Sequence, residues 1–252
     1  MTSRISSELF EHPETTGTAE EHVAAAQMYS DLVPLAERDL PGDRDFTDEL
    51  EVDAPALALP DVFVPDHYEA NYAYPLLVWL ESSTPGPGRL ERRMRQISDR
   101  NYFGVSVVVA DPDQLEEQLH QTFLRLRRQF HLNTERVYLL GCGAAGTQAL
   151  AIGLGQPDWF QGVAVLSAAW PENPRLLSQY DKLRGKRVLL SVSEADDAAL
   201  LADVAYGTRL LWSAGLHVTT LTTTAGGDLH RGLSREIDRW VMQGMEEPEL
   251  VC

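Results

Sequence analysis

The residues whose types and spacing could do chemistry form one run, VYLLGCGAAGTQAL at positions 137–150, which predicts a buried strand, a turn of small residues and a helix. A strand, a tight turn and a helix with the spacing G-x-S-x-G hold a nucleophilic serine on a strained turn at the top of a sheet. Here Gly141 and Ala145 flank the turn, and its central position is Gly143. We call residues 141–145 the elbow. Because glycine has no side chain, the frame for covalent catalysis is present without an atom that could attack a substrate.

Two neighbouring residues are alternative nucleophiles. Cys142 stands one position early, and a shift of one residue at a strand end turns the side chain to the opposite face, so we expect a buried structural thiol. Ser167 lies in the run VLSAAW, where Val165 and Ala169 stand in place of the flanking glycines. We expect it to be an ordinary serine at the end of a buried strand.

Alternating strands and helices must position the elbow. Apolar runs predict strands at Ala58–Val64, Tyr74–Leu80, Phe103–Ala110, Arg136–Leu140, Val163–Leu166, Arg187–Ser191 and Val218–Thr222. Helical patterns lie between them, at Arg89–Asp99, Gln114–Phe130, Ala145–Leu154, Ala198–Ser213 and Leu233–Gln243. Continuous apolar strands separated by amphipathic helices indicate an α/β protein with a mostly parallel, twisted sheet covered by helices on both faces.

The N-terminal part has a different character. Thr18 and Glu21 form a capping box ahead of a helix that runs to about Arg38, and its apolar stripe must be buried on its own domain, which we favour, or on another subunit. We therefore predict an acidic tail, helix and linker at residues 1–56 and an α/β domain at residues 57–252.

Composition limits the partners and the compartment. The chain has 252 residues and a formal net charge of −17, and residues 1–56 hold 14 acidic residues against 3 arginines. Such acidity repels phosphate backbones and anionic lipid, so we expect no nucleic-acid or membrane partner; a protein partner would bind through the N-terminal acidic helix. The N-terminus lacks an apolar signal core, which predicts a cytoplasmic protein. The two cysteines are Cys142, in the elbow, and Cys252, the last residue of the sequence. Their number and placement do not predict a disulfide.

Three segments together resemble a known family. YEANYAYPLLVWL at 68–80, the elbow, and REIDRWV at 235–241 resemble the α/β-hydrolase superfamily, most closely its phospholipase/carboxylesterase and acyl-protein thioesterase branch, over about residues 57–245. The resemblance implies a serine–aspartate–histidine triad at the carboxyl ends of the strands and an oxyanion hole after Leu80. It implies no cofactor.

The positions that the resemblance implies are mostly altered. The nucleophile position is Gly143, and Glu81 and Ser82 stand where relatives carry His-Gly in the oxyanion hole. A carboxylate about 4 Å from an oxyanion would oppose it by roughly 4 kcal/mol at an effective dielectric near 20. Asp196 matches the triad acid, although Asp197 beside it suggests the ordinary role of capping the next helix.

The histidine position is also altered. Counting back from Trp240 places the family histidine near Gly227 or Asp228, and His230 comes two or three residues late. We expect His230 to cap a helix or to lie at the surface, with a swing towards the elbow as the alternative.

These observations favour a non-catalytic homologue, a pseudoesterase that works as a binding or assembly protein. Two alternatives stay open: a carboxylesterase or phospholipase-type hydrolase, and an enzyme that uses Glu81, Asp196, Asp228 and His230 for acid–base chemistry or to hold a divalent metal. The spacing of those four residues fits no recognised metal motif. The helix start at Gly143, Ala144 and Ala145 could bind a small anion. The negative charges of Glu81 and Asp228 would oppose such binding.

Overall fold

A computed structural model describes residues 61–172, 179–224 and 229–246. The predicted N-terminal tail, helix and linker lie outside the described residues. So do Asp228 and Cys252, and the predictions made for these parts stay predictions.

Seven strands form one sheet in the described part of the chain, and every predicted strand has its counterpart there. Their order across the sheet is β1-β3-β2-β4-β5-β6-β7, with β1 antiparallel to β3 and all other neighbours parallel. The strands are β1 (Val62–Phe63), β2 (Tyr74–Glu81), β3 (Phe103–Val108), β4 (Leu132–Cys142), β5 (Gly162–Leu166), β6 (Arg187–Ser193) and β7 (His217–Thr223). The predicted mostly parallel sheet is confirmed.

Helices connect the strands. They are α1 (Arg89–Ile97), α2 (Leu115–Gln129, after a 3₁₀ turn at Pro112–Gln114), α3 (Gly143–Gly155), α4 (Tyr180–Leu183), α5 (Ala198–Ser213) and α6 (Arg231–Glu246). Five were predicted within a few residues, whereas α4, a single turn, is too short to show a period in the sequence. None of the helices described is long and apolar enough to cross a membrane.

The sheet separates two apolar cores, and alternate residues of β2 show how. Val78 belongs to the core beneath α2 and α3, while Trp79 belongs to the core beneath α1 and α6. All eight residues of β2 are buried, as expected for a central strand of a sheet that is covered on both faces.

One hydrogen bond ties α6 to the start of β3. The hydroxyl of Tyr102 donates to Asp238 Oδ1 at 2.7 Å. Burial raises the pKa of Tyr102 above its ordinary value, and the hydrogen bond to Asp238 raises it further. The phenol is therefore held in its neutral form in the folded protein.

Candidate active site

The elbow joins the carboxyl end of β4 to the amino end of α3. Its small residues are needed because strand and helix backbones touch there. A Cβ on Gly141 would lie 2.6 Å from the backbone oxygen of Ala145, and a Cβ on Gly146 would lie 2.8 Å from the Cβ of Ala168. Both distances are shorter than carbon atoms tolerate, so the sequence GCGAAG permits this approach and larger residues would not.

Gly143 stands at the nucleophile position. Unlike Gly141 and Gly146, it is favoured as glycine by its backbone conformation and not by crowding. Its φ is +53°, in the left-handed region that costs a side-chain-bearing residue about 1–2 kcal/mol. A Cβ built on Gly143 meets no heavy atom within 4 Å. The elbow thus keeps the backbone shape and the open space of a nucleophile position, and only the side chain is missing.

Of the residues that flank Gly143 in the elbow, Cys142 alone carries a nucleophilic atom. Ala144 is exposed and Ala145 is buried. Cys142 is half-buried, not fully buried as predicted, and it packs against the core beneath α1 and α6. Apart from the helix start itself, no described feature points to an anion here, so the anion site at Gly143–Ala145 stays a prediction.

Glu81 does not oppose an oxyanion in the way that the sequence suggested. Its carboxylate is buried, forms an ion pair with the buried guanidinium of Arg93, and lies 4.0 Å from Arg89 Nε. The guanidinium of Arg93 also lies over the indole of Trp79, 4.6 Å from the ring centroid. Because Glu81 and Trp79 are two residues apart on one strand, both side chains point to the face covered by α1.

Ser82 is the first exposed residue after β2. The residues at the oxyanion position are thus a neutralised, inward-facing carboxylate and a solvent-facing serine. The expectation that Glu81 would impose an electrostatic penalty is wrong, although no glycine stands directly after β2 to help form a cradle of backbone N–H groups.

Asp196 uses its carboxylate within its own turn. Its Oδ2 accepts the backbone N–H of Ser193 at 2.7 Å, and its own N–H donates to the carbonyl of Ser193 at 3.1 Å. Asp197 accepts the N–H of Leu200 at 2.8 Å and so caps α5, as predicted. In this arrangement Asp196 shapes the loop after β6 and orients no imidazole among the described residues.

His230 caps α6. Its Nδ1 accepts the N–H of Leu233 at 3.4 Å, the contact by which an N-cap side chain satisfies the helix. Its Nε2 is buried and has no hydrogen-bond partner. No hydroxyl, thiol or carboxylate of the described residues therefore forms a catalytic pair with this imidazole, and the capping role expected from the sequence is the one seen.

Ser167 carries a feature that the sequence did not reveal. It follows β5 with φ +45°, and its N–H donates to the carbonyl of Ser191 at 2.7 Å. The residue is half-buried. Non-glycine residues in this backbone region are strained by about 1–3 kcal/mol and concentrate at functional sites, so Ser167 is the one described serine at the strand ends whose backbone hints at a role.

The metal alternative gains no support from geometry. Within the described ranges, no group of three or more His, Cys, Asp or Glu side chains is arranged to hold a metal ion. Glu81 forms an ion pair with Arg93, Asp196 accepts a hydrogen bond within its own turn, and His230 caps α6. The sequence placed these residues at one end of the sheet, but their side chains serve separate structural roles.

Comparison with known proteins identifies the fold. No protein-family model matches the sequence, and no curated protein matches it. A solved thermostable esterase matches with a TM-score of 0.56 and 13% identity over 72% of this chain and 58% of the esterase. A putative dipeptidyl aminopeptidase IV from Bacteroides ovatus gives 0.58 and 14% over 72% of this chain. SOBER1 from Arabidopsis thaliana gives 0.54 and 18% over 69% of this chain and 100% of SOBER1.

The chain spans little more than half the length of the thermostable esterase and a third, 33%, of the Bacteroides ovatus protein. At such low identities the likeness concerns the fold alone. The chain has the α/β-hydrolase fold, as the resemblance of residues 68–80, the elbow and residues 235–241 implied.

Proposed function

We propose that this chain of α/β-hydrolase fold is a non-catalytic member of that structural class, a pseudoesterase that binds or assembles instead of cleaving. The observation that carries the proposal is Gly143, a residue without a side chain on an elbow that is otherwise intact. In triad enzymes the members act as a unit, so loss of the nucleophile alone removes most of the rate acceleration.

The other triad positions support the same reading. The Nδ1 of His230 accepts the N–H of Leu233 at the start of α6, and the carboxylate of Asp196 accepts the N–H of Ser193. A hydrolase needs a base within hydrogen-bond reach of its nucleophile and an acid that orients the base. Each of these described residues instead stabilises a local turn or helix.

The test is hydrolysis of short p-nitrophenyl esters by the purified full-length chain, beside a mock preparation from cells without the gene. We expect equal rates from both. Turnover well above the mock preparation, which co-purifies with the protein through two orthogonal columns, would contradict the proposal.

A second function, ester hydrolysis from Ser167, is favoured by the strained backbone at that residue. The variant Ser167→Ala separates the two functions. If Ser167 is the nucleophile, the wild type turns over the ester and this variant does not. Equal rates in the two proteins would exclude Ser167 as the nucleophile.

The binding role is proposed to use the acidic residues 1–56, whose charge of −11 suits a basic protein surface. Calorimetric titration of a basic peptide such as oligolysine into the full chain and into a chain lacking residues 1–56 measures this. We expect salt-sensitive binding by the full chain only. Equal binding by both would place the partner surface elsewhere.

A further inference from the structure

We infer that residues 168–170, which follow β5, hold Ser167 in a strained conformation beside the elbow and couple it to the exposed surface of α5. We call residues 168–170 the strap. The inference goes beyond the proposed function, because it concerns how the site is held and not what the elbow binds or cleaves.

The strap begins directly beside the elbow. Cys142 and Leu166 lie opposite each other in β4 and β5, so the next residues, Gly143 and Ser167, leave the sheet side by side. Both have left-handed backbones, with φ +53° at Gly143 and +45° at Ser167. Glycine adopts this conformation without a steric penalty, whereas serine is strained by it. Of these two neighbouring turns, the one at Ser167 therefore stores the strain.

The first anchor of the strap is on α3. Ala168 is buried and meets α3 at Gly146, where an added Cβ would lie 2.8 Å from the Ala168 Cβ. The hydroxyl of Thr147 donates to the carbonyl oxygen of Ala169 at 2.9 Å and lies 3.5 Å from the carbonyl oxygen of Gly143. One side chain thus ties the strap to the first turn of α3, next to the elbow.

The second anchor of the strap is on α5. The ring of Trp170 packs so closely on Gly207 that an added Cβ there would lie 2.2 Å from ring atoms. The backbone N–H of Trp170 donates to Asp203 Oδ2 at 3.4 Å. The ring of Tyr206 meets the Trp170 ring edge-on, with centroids 6.1 Å apart. The large side chain at the end of the strap therefore has a fitted seat on α5.

The two anchors explain how a strained serine persists at this position. A residue keeps a sparsely populated backbone conformation only when the surrounding structure fixes it. Two residues separate Ser167 from Trp170, and a large change of φ at Ser167 swings the chain that follows it. Ser167 therefore cannot relax to an extended backbone unless the strap leaves an anchor.

The strap gives the site two states. With both anchors in place, Ser167 is left-handed beside Gly143; with the α5 anchor released, Ser167 relaxes and its hydroxyl turns away from its present position. Tyr206 is 60% exposed, so the α5 anchor is accessible from solvent. A molecule that displaces the Tyr206 ring thereby changes the state of Ser167, and two sites linked in this way are energetically coupled.

A double-mutant cycle measured by urea unfolding of the full chain tests the strap. Ser167→Gly removes the strain and should raise the urea midpoint of the wild type. In a Trp170→Ala background the strap is already released, so Ser167→Gly should no longer raise the midpoint. Trp159→Ala is the matched control, because Trp159 is a half-buried tryptophan that packs on the core beneath α2 and α3; there Ser167→Gly should act as in the wild type. The same change of midpoint in the wild type and in Trp170→Ala overturns the inference.

Milder variants keep the test valid if Trp170→Ala does not fold. Thr147→Val removes only the hydroxyl that holds Ala169, and it should reduce the gain from Ser167→Gly. Thr122→Val is its control, since the Thr122 hydroxyl donates to a carbonyl of its own helix at 2.8 Å, and it should leave that gain unchanged. Equal gains in these two backgrounds overturn the inference.

A pair of exposed tyrosines tests the coupling to the surface of α5. The gain from Ser167→Gly should be smaller in a Tyr206→Ala background than in the wild type. It should be unchanged in Tyr180→Ala, which alters a tyrosine that is 57% exposed at the start of α4. Equal gains in both backgrounds would show that the surface of α5 is not coupled to Ser167.

Discussion

Replacing Gly143 with serine restores the missing hydroxyl and tests what the elbow can still do. The structure sets two expectations for Gly143→Ser. A Cβ at this residue meets nothing within 4 Å, so no repacking is needed, but φ +53° strains any side-chain-bearing residue. The free energy of unfolding should therefore fall by about 1–2 kcal/mol. Gly143→Ala should lower the free energy of unfolding by the same amount, because the strain comes from the backbone and not from the hydroxyl.

Gly141→Ala provides the contrast in the same turn. There the added Cβ lies 2.6 Å from the backbone oxygen of Ala145, and backbone cannot move aside as a flexible side chain does. Overpacking typically costs about 1–3 kcal/mol, and a contact with backbone places Gly141→Ala at the upper end of that range. Urea unfolding followed by tryptophan fluorescence, with comparison at equal m-values, measures all three variants. If Gly141→Ala proved as mild as Gly143→Ala, the close strand–helix contact described for the elbow would be wrong.

The catalytic expectation for Gly143→Ser is no gain of function. The hydroxyl would enter open space, whereas His230 Nε2 is enclosed by protein and Nδ1 already accepts a helix N–H. Without a base, a serine hydroxyl is a weak nucleophile, so p-nitrophenyl acetate should give neither a burst nor turnover. A burst that appears in Gly143→Ser and disappears in Gly143→Ser with His230→Ala would refute this reasoning and reveal a histidine that reaches the elbow.

Four further outcomes follow from the described contacts. Glu81→Leu should lower the free energy of unfolding by about 3–5 kcal/mol in urea titrations because it removes the carboxylate that is ion-paired with the buried Arg93, and adding Arg93→Met should recover part of the loss; no recovery would mean that the two side chains are not coupled. His230→Ala should cost about 1 kcal/mol and His230→Asn less, since asparagine can also cap; equal losses would argue against capping. Ser167→Gly should stabilise the fold by about 1 kcal/mol by removing strain, and a loss would show that the hydroxyl has a structural partner. Because burial raises the folded-state pKa of Tyr102 above the unfolded value of about 10, the stability it contributes is complete below that pH and is lost as the pH rises beyond it. Tyr102→Phe should therefore show a smaller loss of stability than the wild type between about pH 9 and 11, and an unchanged loss would place the titration elsewhere.

The fold was predictable because its signal is local. The eight buried residues of β2 read as one apolar run, and the small residues of the elbow mark the point where β4 gives way to α3. Composition and periodicity therefore gave all seven strands and five of the helices. The helix α4 was not predicted because a single turn is too short to show a helical repeat of apolar residues.

The site was only partly predictable because its contacts join distant segments. Glu81 and Trp79 are two residues apart on one strand, so the sequence could have predicted that both side chains face α1. That Arg93 is the ion-pair partner of Glu81 depends on how α1 crosses the strand. The strained backbone of Ser167 has no sequence signature, since serine is not a residue type that prefers a positive φ.

The most direct test of the central claim is the reaction of the unmodified full-length protein with a fluorophosphonate probe, followed by intact-mass measurement. An activated serine in an α/β-hydrolase elbow is labelled once per chain, whereas the glycine at residue 143 offers no oxygen to phosphonylate. We predict that the mass stays that of the unlabelled chain after prolonged exposure. A stoichiometric adduct, mapped by peptide sequencing to Ser167 or to any other serine, would contradict the account of a non-catalytic scaffold.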